Sequence, residues 1–267
     1  MSAVDPQSFY LRTDEDVFES TAATASPWDA TLQHGGPPSA LLARAIERCS
    51  PRPDMLVAKI SVDFLGALPQ GRLRADAVVL RPGRRIELVE ASLLSADRRV
   101  ATARAWRIRA GMSPASAMAA RLPMPLPPPQ PQRYLAGIDP RWGYGRAIEW
   151  RSAEGGFESL GPARVWARPL LPLVQGEQPT GLQRTLLVTD SINGLSAELD
   201  LKEWLFVPPS LTVTMHRHLE TDWLLLDAAT TIDGNGIWMA QARIFDENGP
   251  FGMATQPLVI ERRGSRT

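Results

Sequence analysis

Residues 61–109 read SVDFLGALPQGRLRADAVVLRPGRRIELVEASLLSADRRVATARAWRIR, and residues 212–260 read TVTMHRHLETDWLLLDAATTIDGNGIWMAQARIFDENGPFGMATQPLVI. The two stretches align without a gap at an offset of 151. Nine of their 49 positions are identical: Val62/Val213, Leu68/Leu219, Leu73/Leu224, Asp76/Asp227, Ala77/Ala228, Gly83/Gly234, Ile86/Ile237, Ala91/Ala242 and Ala103/Ala254. Chance would supply about three. Ser61/Thr212, Leu93/Ile244, Val100/Phe251 and Ile108/Val259 are conservative pairs. In both stretches Val, Ile and Leu alternate with polar residues, and three turn signals fall in register. The pattern predicts strands over 56–65, 72–81, 85–95 and 100–109, and again over 211–219, 223–232, 236–245 and 251–260. A shared offset across three turns is the mark of a duplicated unit.

Upstream of each stretch lies a helical pattern. In 35–49, GGPPSALLARAIERC, the Gly-Gly-Pro-Pro opening and the stripe Leu41, Leu42, Ala45 and Ile46 predict a helix. A second is predicted over 181–202, where Gly194 weakens it and marks close packing. A helix followed by four antiparallel strands packs most economically with the strands curled around the helix. Two such units joined edge to edge leave no inner edge exposed. The expected fold is therefore α+β, a tandem (double) hotdog with two central helices, each wrapped by an antiparallel β-sheet. Residues 111–132, with Pro-Pro-Pro at 127–129, favour extended polyproline conformation and read as a connector. The expected division is 1–110, a Pro-rich connector at 111–135, and 136–267.

The totals narrow the function classes. The 267 residues carry zero formal net charge and are 44% hydrophobic. No basic surplus argues for nucleic acid. Lys59 and Lys202 are the only lysines, and Cys49 is the sole cysteine, which excludes an internal disulfide and a Cys-based zinc site. Residues 1–20 carry five acidic side chains, unlike a signal peptide, and no run reaches the ~18 apolar residues of a membrane span. A cytoplasmic protein is expected. There is no G-x-S-x-G elbow and no Walker A loop. Gly234-Asn235-Gly236 sits in a hairpin turn, which excludes a dinucleotide reading. His216 and His218 read as a strand-face pair, too few ligands for a metal. Neither metal nor cofactor is expected.

Several segments together resemble the double-hotdog acyl-CoA thioesterases of the bacterial thioesterase II type. In the first half these are His34-Gly35-Gly36, then Ala40 to Ala45, Ser61-Val62-Asp63-Phe64 and Arg81-Pro82-Gly83-Arg84. In the second half they are Val188-Thr189-Asp190, Leu211 to Arg217, Asp222-Trp223-Leu224-Leu225, Phe245-Asp246 and Ala254-Thr255-Gln256. The resemblance implies an acyl-CoA substrate, a role in lipid metabolism and a homodimer. It implies three catalytic positions in the second half. Asp190 matches the helix acid and Gln256 the amide of the last strand. The middle, polar position falls on Pro208, and Ser210 stands two residues on.

The chemistry asks for little. A carboxylate orients and deprotonates a water, an amide holds it, and N–H groups at a helix start meet the oxyanion. Asp190 lies among Leu186, Leu187, Val188, Ile192 and Leu195, a setting that raises a carboxyl's pKa; alternatively it is an ordinary carboxylate that caps a bend or bonds to Asn193. Gln256 is either a partner of Asp190 or a polar strand residue facing solvent. His34, Gly35, Gly36 and Asn193 are the candidate substrate contacts. His34 alternatively packs or caps the helix start, and the glycines alternatively form a simple turn. Subtracting 151 from Asp190 and Gln256 gives Ser39 and Ala105, so the expected polar pair belongs to one copy. Two functions stay open: fatty acyl-CoA hydrolysis through an Asp/Gln-oriented water, and a non-catalytic acyl-CoA or lipid-binding protein that lost turnover with Pro208. A dehydratase or hydratase on the same fold is a weaker third.

Overall fold

The eight strands read in the two copies all form, within a computed structural model that describes residues 6–111, 124–134 and 137–263. In chain order the elements are β1 (Tyr10–Asp14), β2 (Val17–Ser20), α1 (Gly36–Arg48), β3 (Met55–Phe64), β4 (Arg72–Arg81), β5 (Ile86–Ser95) and β6 (Arg98–Arg109). They continue with α2 (Gly143–Arg146), β7 (Ile148–Glu154), β8 (Ala163–Pro169), α3 (Gly181–Thr189), α4 (Ile192–Leu195), β9 (Trp204–Val207), β10 (Ser210–Met215), β11 (Leu224–Thr231), β12 (Ile237–Asp246) and β13 (Gly249–Arg262). All named strands join one antiparallel sheet in the order β1-β2-β4-β5-β6-β3-β10-β13-β12-β11-β8-β7, with β9 added on β13.

That order reads the same from either end once each strand is replaced by its copy. The centre is the β3–β10 pairing, where Ser61 lies opposite Thr212 and their hydroxyls are 3.0 Å apart. Two equivalent antiparallel strands can align a residue with its own counterpart only at the symmetry centre. The residues found there are 151 apart, so the geometry reproduces the offset of the repeat. β5 and β12 obey it at both ends.

The hairpins β1–β2 and β7–β8 add two strands beyond β4 and β11. They were not read in the sequence, because each is short and charged, and in β1 only Tyr10 is buried. The run expected over 211–219 ends at Met215. Beyond it the Arg217 guanidinium forks onto the Asp246 carboxylate at 2.5 and 2.6 Å, and His218 turns to the Val57 carbonyl, so His216 and His218 are not a strand pair.

α1 forms as expected. The helix expected over 181–202 does not run through. Thr180 caps α3 by accepting the Gln183 N–H at 3.2 Å, and α3 stops at Thr189. The Ser191 N–H bonds Val188 O, three residues back rather than four, so the coil tightens at Asp190 and breaks. α4 follows for one turn, with Gly194 against the Phe157 ring. The helices also escape the 151 offset. α1 begins 25 residues before Ser61, and α3 begins 31 residues before Thr212. Counted from the helix starts, Asp190 corresponds to Ala45, not to Ser39.

α1 and α3 pack on each other, α1 against β4, β5 and β6, and α4 against β11 and β12. Leu41, Leu42, Ile46, Leu186 and Leu187 are fully buried in a core shared by both halves. Each such side chain contributes about 1.5–3 kcal/mol. The contact is close because Gly36 has no Cβ; one there would overlap the Leu187 carbonyl. Of the expected connector, 112–123 and 135 lie outside the described residues. Residues 124–134 run beside β7 without regular structure. Prolines cannot donate to that edge, and Gln130 replaces the ladder: its amide accepts from Ser152 N–H at 2.8 Å and donates to Ser152 O at 2.9 Å.

Candidate active site

Three elements converge where α3 breaks. Asp190 is the residue after α3, at the C-cap, and its carboxyl points toward the start of α1 in the other half of the chain. Gln256 comes from β13, where inward alternation buries it completely, so it does not face solvent. Its Nε2 donates to Asp190 Oδ1 at 2.7 Å. Just before α1, the Gly35 N–H is turned to the Asp190 carboxylate and favours its charged form. Gly35 fits because a Cβ there would stand 2.6 Å from Asp190 Oδ2 and 2.7 Å from the Phe64 ring.

Burial decides the electrostatics. Asp190 is 5% exposed, and loss of water raises its pKa from 3.8 to about 8, against the lowering effect of the Gly35 N–H and the Gln256 amide. Gln256 Oε1 is enclosed without a partner. An amide can meet either state of the acid: Nε2 donates to a carboxylate, and a rotated Oε1 accepts the proton of a carboxyl.

His34 sits just before α1. Its Nδ1 accepts the Gly36 N–H at 3.1 Å and lies 3.4 Å from Asp190 Oδ2. The bond from Gly36 requires a lone pair on Nδ1, so His34 and Asp190 form no ion pair while it stands. Burial lowers the imidazole pKa to about 3, in keeping with a neutral ring. The ring stacks on Tyr144, centroids 3.8 Å apart and planes 9° from parallel. Tyr144 is anchored in turn by its hydroxyl, 2.7 Å from Leu187 O and 2.9 Å from Ser191 Oγ.

A cavity of about 430 Å³ opens above the acid. His34, Gly35, Asp190, Ser191 and Asn193 supply polar lining, and Trp28, Phe64, Trp142, Phe157 and Leu205 are among the apolar walls. Asn193 is 8% exposed, lines the cavity one turn beyond Asp190, and its amide makes no hydrogen bond among the described residues. Gln256 lies behind Asp190 rather than in the wall. Gly36 is turned to α3. Ser210 is not among the lining residues; it opens β10 opposite Asp63, while Pro208 and Pro209 take the wall. Pro208 sits where the ladder of β13 changes partner. Thr255 pairs with β10 and Val259 with β9, and the residues between them pair on the β12 side alone. The missing proline N–H is tolerated there, and the gap lies beside the acid.

The structure thus gathers His34, Gly35, Asp190, Asn193 and Gln256, with Gly36 holding His34. Tyr144 and Trp142 were not anticipated. They come from around α2, a single turn whose sequence, GYGR, carries no periodic signal.

Residues 24–108 match the family model described as the acyl-CoA thioesterase N-terminal domain, and residues 118–260 match the acyl-CoA thioesterase C-terminal domain. No curated protein matches the chain. Among solved structures, the chain is similar to a conserved protein of unknown function with hot dog fold from Alicyclobacillus acidocaldarius (TM-score 0.72, 17% identity, 96% of this chain and 97% of that one). It is also similar to an acyl-CoA thioesterase II from Mycobacterium marinum (TM-score 0.62, 14% identity, 97% and 96%). A third is the tesB protein of Mycobacterium avium subs paratuberculosis (TM-score 0.62, 17% identity, 94% and 95%). These likenesses give the hotdog fold. With both family models matched in order along most of its length, the chain belongs to the acyl-CoA thioesterase family.

Proposed function

We propose that the chain hydrolyses fatty acyl-CoA thioesters to free acid and CoA, with Asp190 as general base and Gln256 as its partner. The observation that carries this reading is the buried Asp190–Gln256 pair beneath an apolar-walled cavity, its acid held near pKa 8. A carboxylate with that pKa is a far stronger base than one in water. Ionised Asp190 takes a proton from a water as the water oxygen bonds the thioester carbon and the carbonyl π pair moves to oxygen. Collapse restores the carbonyl and breaks the C–S bond, and the thiolate takes the proton from Asp190. Gln256 holds the base throughout, and His34, Gly35 and Asn193 contact the substrate. The same reading takes each helix as the centre of its own curled half-sheet, 1–110 and 136–267 as the two domains, and the chain as a cytoplasmic homodimer in lipid metabolism.

Free-thiol release from butanoyl- to palmitoyl-CoA tests the proposal. Asp190→Asn is expected to lower kcat at least about 10²-fold. No release with any acyl-CoA, or full activity in Asp190→Asn, overturns it. Pro208 in the cavity wall favours the second reading, a binder without turnover; then acyl-CoA raises the melting temperature and no thiol appears. Ser210 enters neither reading as a contact, given its place outside the wall.

A further inference from the structure

We propose that His34 is the donor that receives the thioester carbonyl oxygen, acting through Nε2–H as a neutral imidazole that never exchanges a proton. The inference rests on the hydrolytic reading above and assigns the group that reading leaves open.

A helix start is the usual source of N–H groups for an oxyanion. In this chain the start of α1 has none to give. The Gly35 N–H is turned to the Asp190 carboxylate, whose charged form it favours, the Gly36 N–H bonds His34, Pro37 and Pro38 carry no N–H, and the Ser39 N–H bonds Gly35 O at 3.1 Å. With α1 offering no free N–H, a cavity-lining side chain without a hydrogen-bond partner among the described residues can take that place.

His34 meets that requirement by construction. The Gly36 N–H fixes Nδ1 as the acceptor, so in the neutral ring the proton resides on Nε2. Among the described residues Nε2 has no hydrogen-bond partner and is not enclosed, and the ring lines the cavity. The ring cannot swing away. It is stacked on Tyr144, whose hydroxyl is tied to the α3 end of the break, and Trp142 lies 5.8 Å off, tilted by 49°. The same ring's Nδ1 is 3.4 Å from Asp190 Oδ2, which places donor and base on adjoining sides of one pocket. Asn193 also lines the cavity, but its amide makes no hydrogen bond among the described residues that would fix it beforehand. A donor fixed before the substrate arrives is worth more to the transition state than one ordered on binding. A neutral imidazole at a helix start is also a known electrophilic arrangement in proton-transfer enzymes.

In the step this implies, His34 Nε2–H hydrogen-bonds the carbonyl oxygen while water attacks. The bond strengthens as negative charge builds on that oxygen, and it relaxes when the C–S bond breaks. Every proton that moves passes through Asp190.

Two conservative variants separate this role from packing. In His34→Gln the side-chain amide reaches the place of Nε2; in His34→Asn it stops near Nδ1. Expected is a loss of about 10² to 10³-fold in kcat for His34→Asn with little change in KM, and recovery to within about tenfold of wild type in His34→Gln. Equal losses in both, or activity kept in both, overturn the proposal. A pH–rate inflection near 6.5 that disappears with His34 also overturns it, since the ring would then be titrating as a base. Histidine ¹⁵N spectra of the intact protein give a readout that no variant's folding can spoil: Nδ1 unprotonated and Nε2 protonated down to pH 5 are expected, and the opposite tautomer refutes the assignment. If wild type releases no thiol, hydrolysis fails as the function. The infrared carbonyl stretch of octanoyl-CoA bound to Asp190→Asn then still decides whether His34 touches that oxygen, by a downshift that His34→Asn removes.

Discussion

Asp190 is held in its unusual state by few atoms. Gln256 and the Gly35 N–H are the groups that favour its charged form, and burial works against both. Removing the amide with Gln256→Met is therefore expected to raise the acid's pKa further. The acid limb of the pH–rate profile moves to higher pH, while the wild-type rate rises about tenfold per pH unit up to about 8 and then levels. A limb that stays in place would show that the Gln256 bond does not reach the base. Asn193→Ala tests the cavity amide that makes no hydrogen bond among the described residues. If it contacts substrate, kcat/KM falls roughly tenfold, the value of one hydrogen bond of about 1.5 kcal/mol, and the melting temperature stays put because no protein bond is lost. At this scale the sequence showed the acid and the amide as types, but not their 2.7 Å contact. Asp190 and Gln256 are 66 residues apart, and only the core that packs α3 against the sheet brings them together.

The two glycines at the start of α1 are alike in sequence and differ in what they face. Gly36→Ala places a Cβ into the Leu187 carbonyl, a backbone atom that cannot move aside, and is expected to lower unfolding stability by about 1–3 kcal/mol through the α1–α3 contact. Gly35→Ala meets the Asp190 carboxylate and the tip of the Phe64 ring instead. Its backbone, at φ −69°, suits alanine, so a smaller stability loss with a larger loss of thiol release is expected. Chemical denaturation and turnover measured on both variants check the contrast. The helix pattern over 35–49 predicted α1 to within a residue at each end. The break after α3 was not legible, because Asp190 and Ser191 are ordinary helix residues locally. Nor were β1, β2, β7 and β8, which become strands by adding to an edge that longer strands have already formed.

Across the molecule the site leaves a signature in stability. Asp190 titrates at about 8 in the fold against an ordinary 3.8 unfolded, so its contribution is full below 3.8 and is lost as pH rises to about 8. His34 is lowered from 6.5 to about 3, so its contribution is present above 6.5 and is lost as pH falls toward 3. Between 3.8 and 6.5 the two slopes oppose each other. Between 6.5 and 8 Asp190 acts without His34, and the melting temperature is expected to drop by the equivalent of up to about 2 kcal/mol. Asp190→Asn is expected to remove that drop, and an unchanged slope in the variant would refute the burial assigned to the acid.

The sequence by itself determined the duplication, the eight central strands and the family, because periodicity and turn residues are local and the offset of 151 survives in them. Tertiary structure decided the rest. It paired Ser61 with Thr212 at the centre of the sheet, brought the start of α1 against the end of α3 from the opposite half, and turned His34 from a residue before a helix into a fixed neutral ring beside the acid. Those outcomes depend on which helix carbonyl meets which glycine and on how much water burial removes, and neither quantity is written in the neighbours of any one residue.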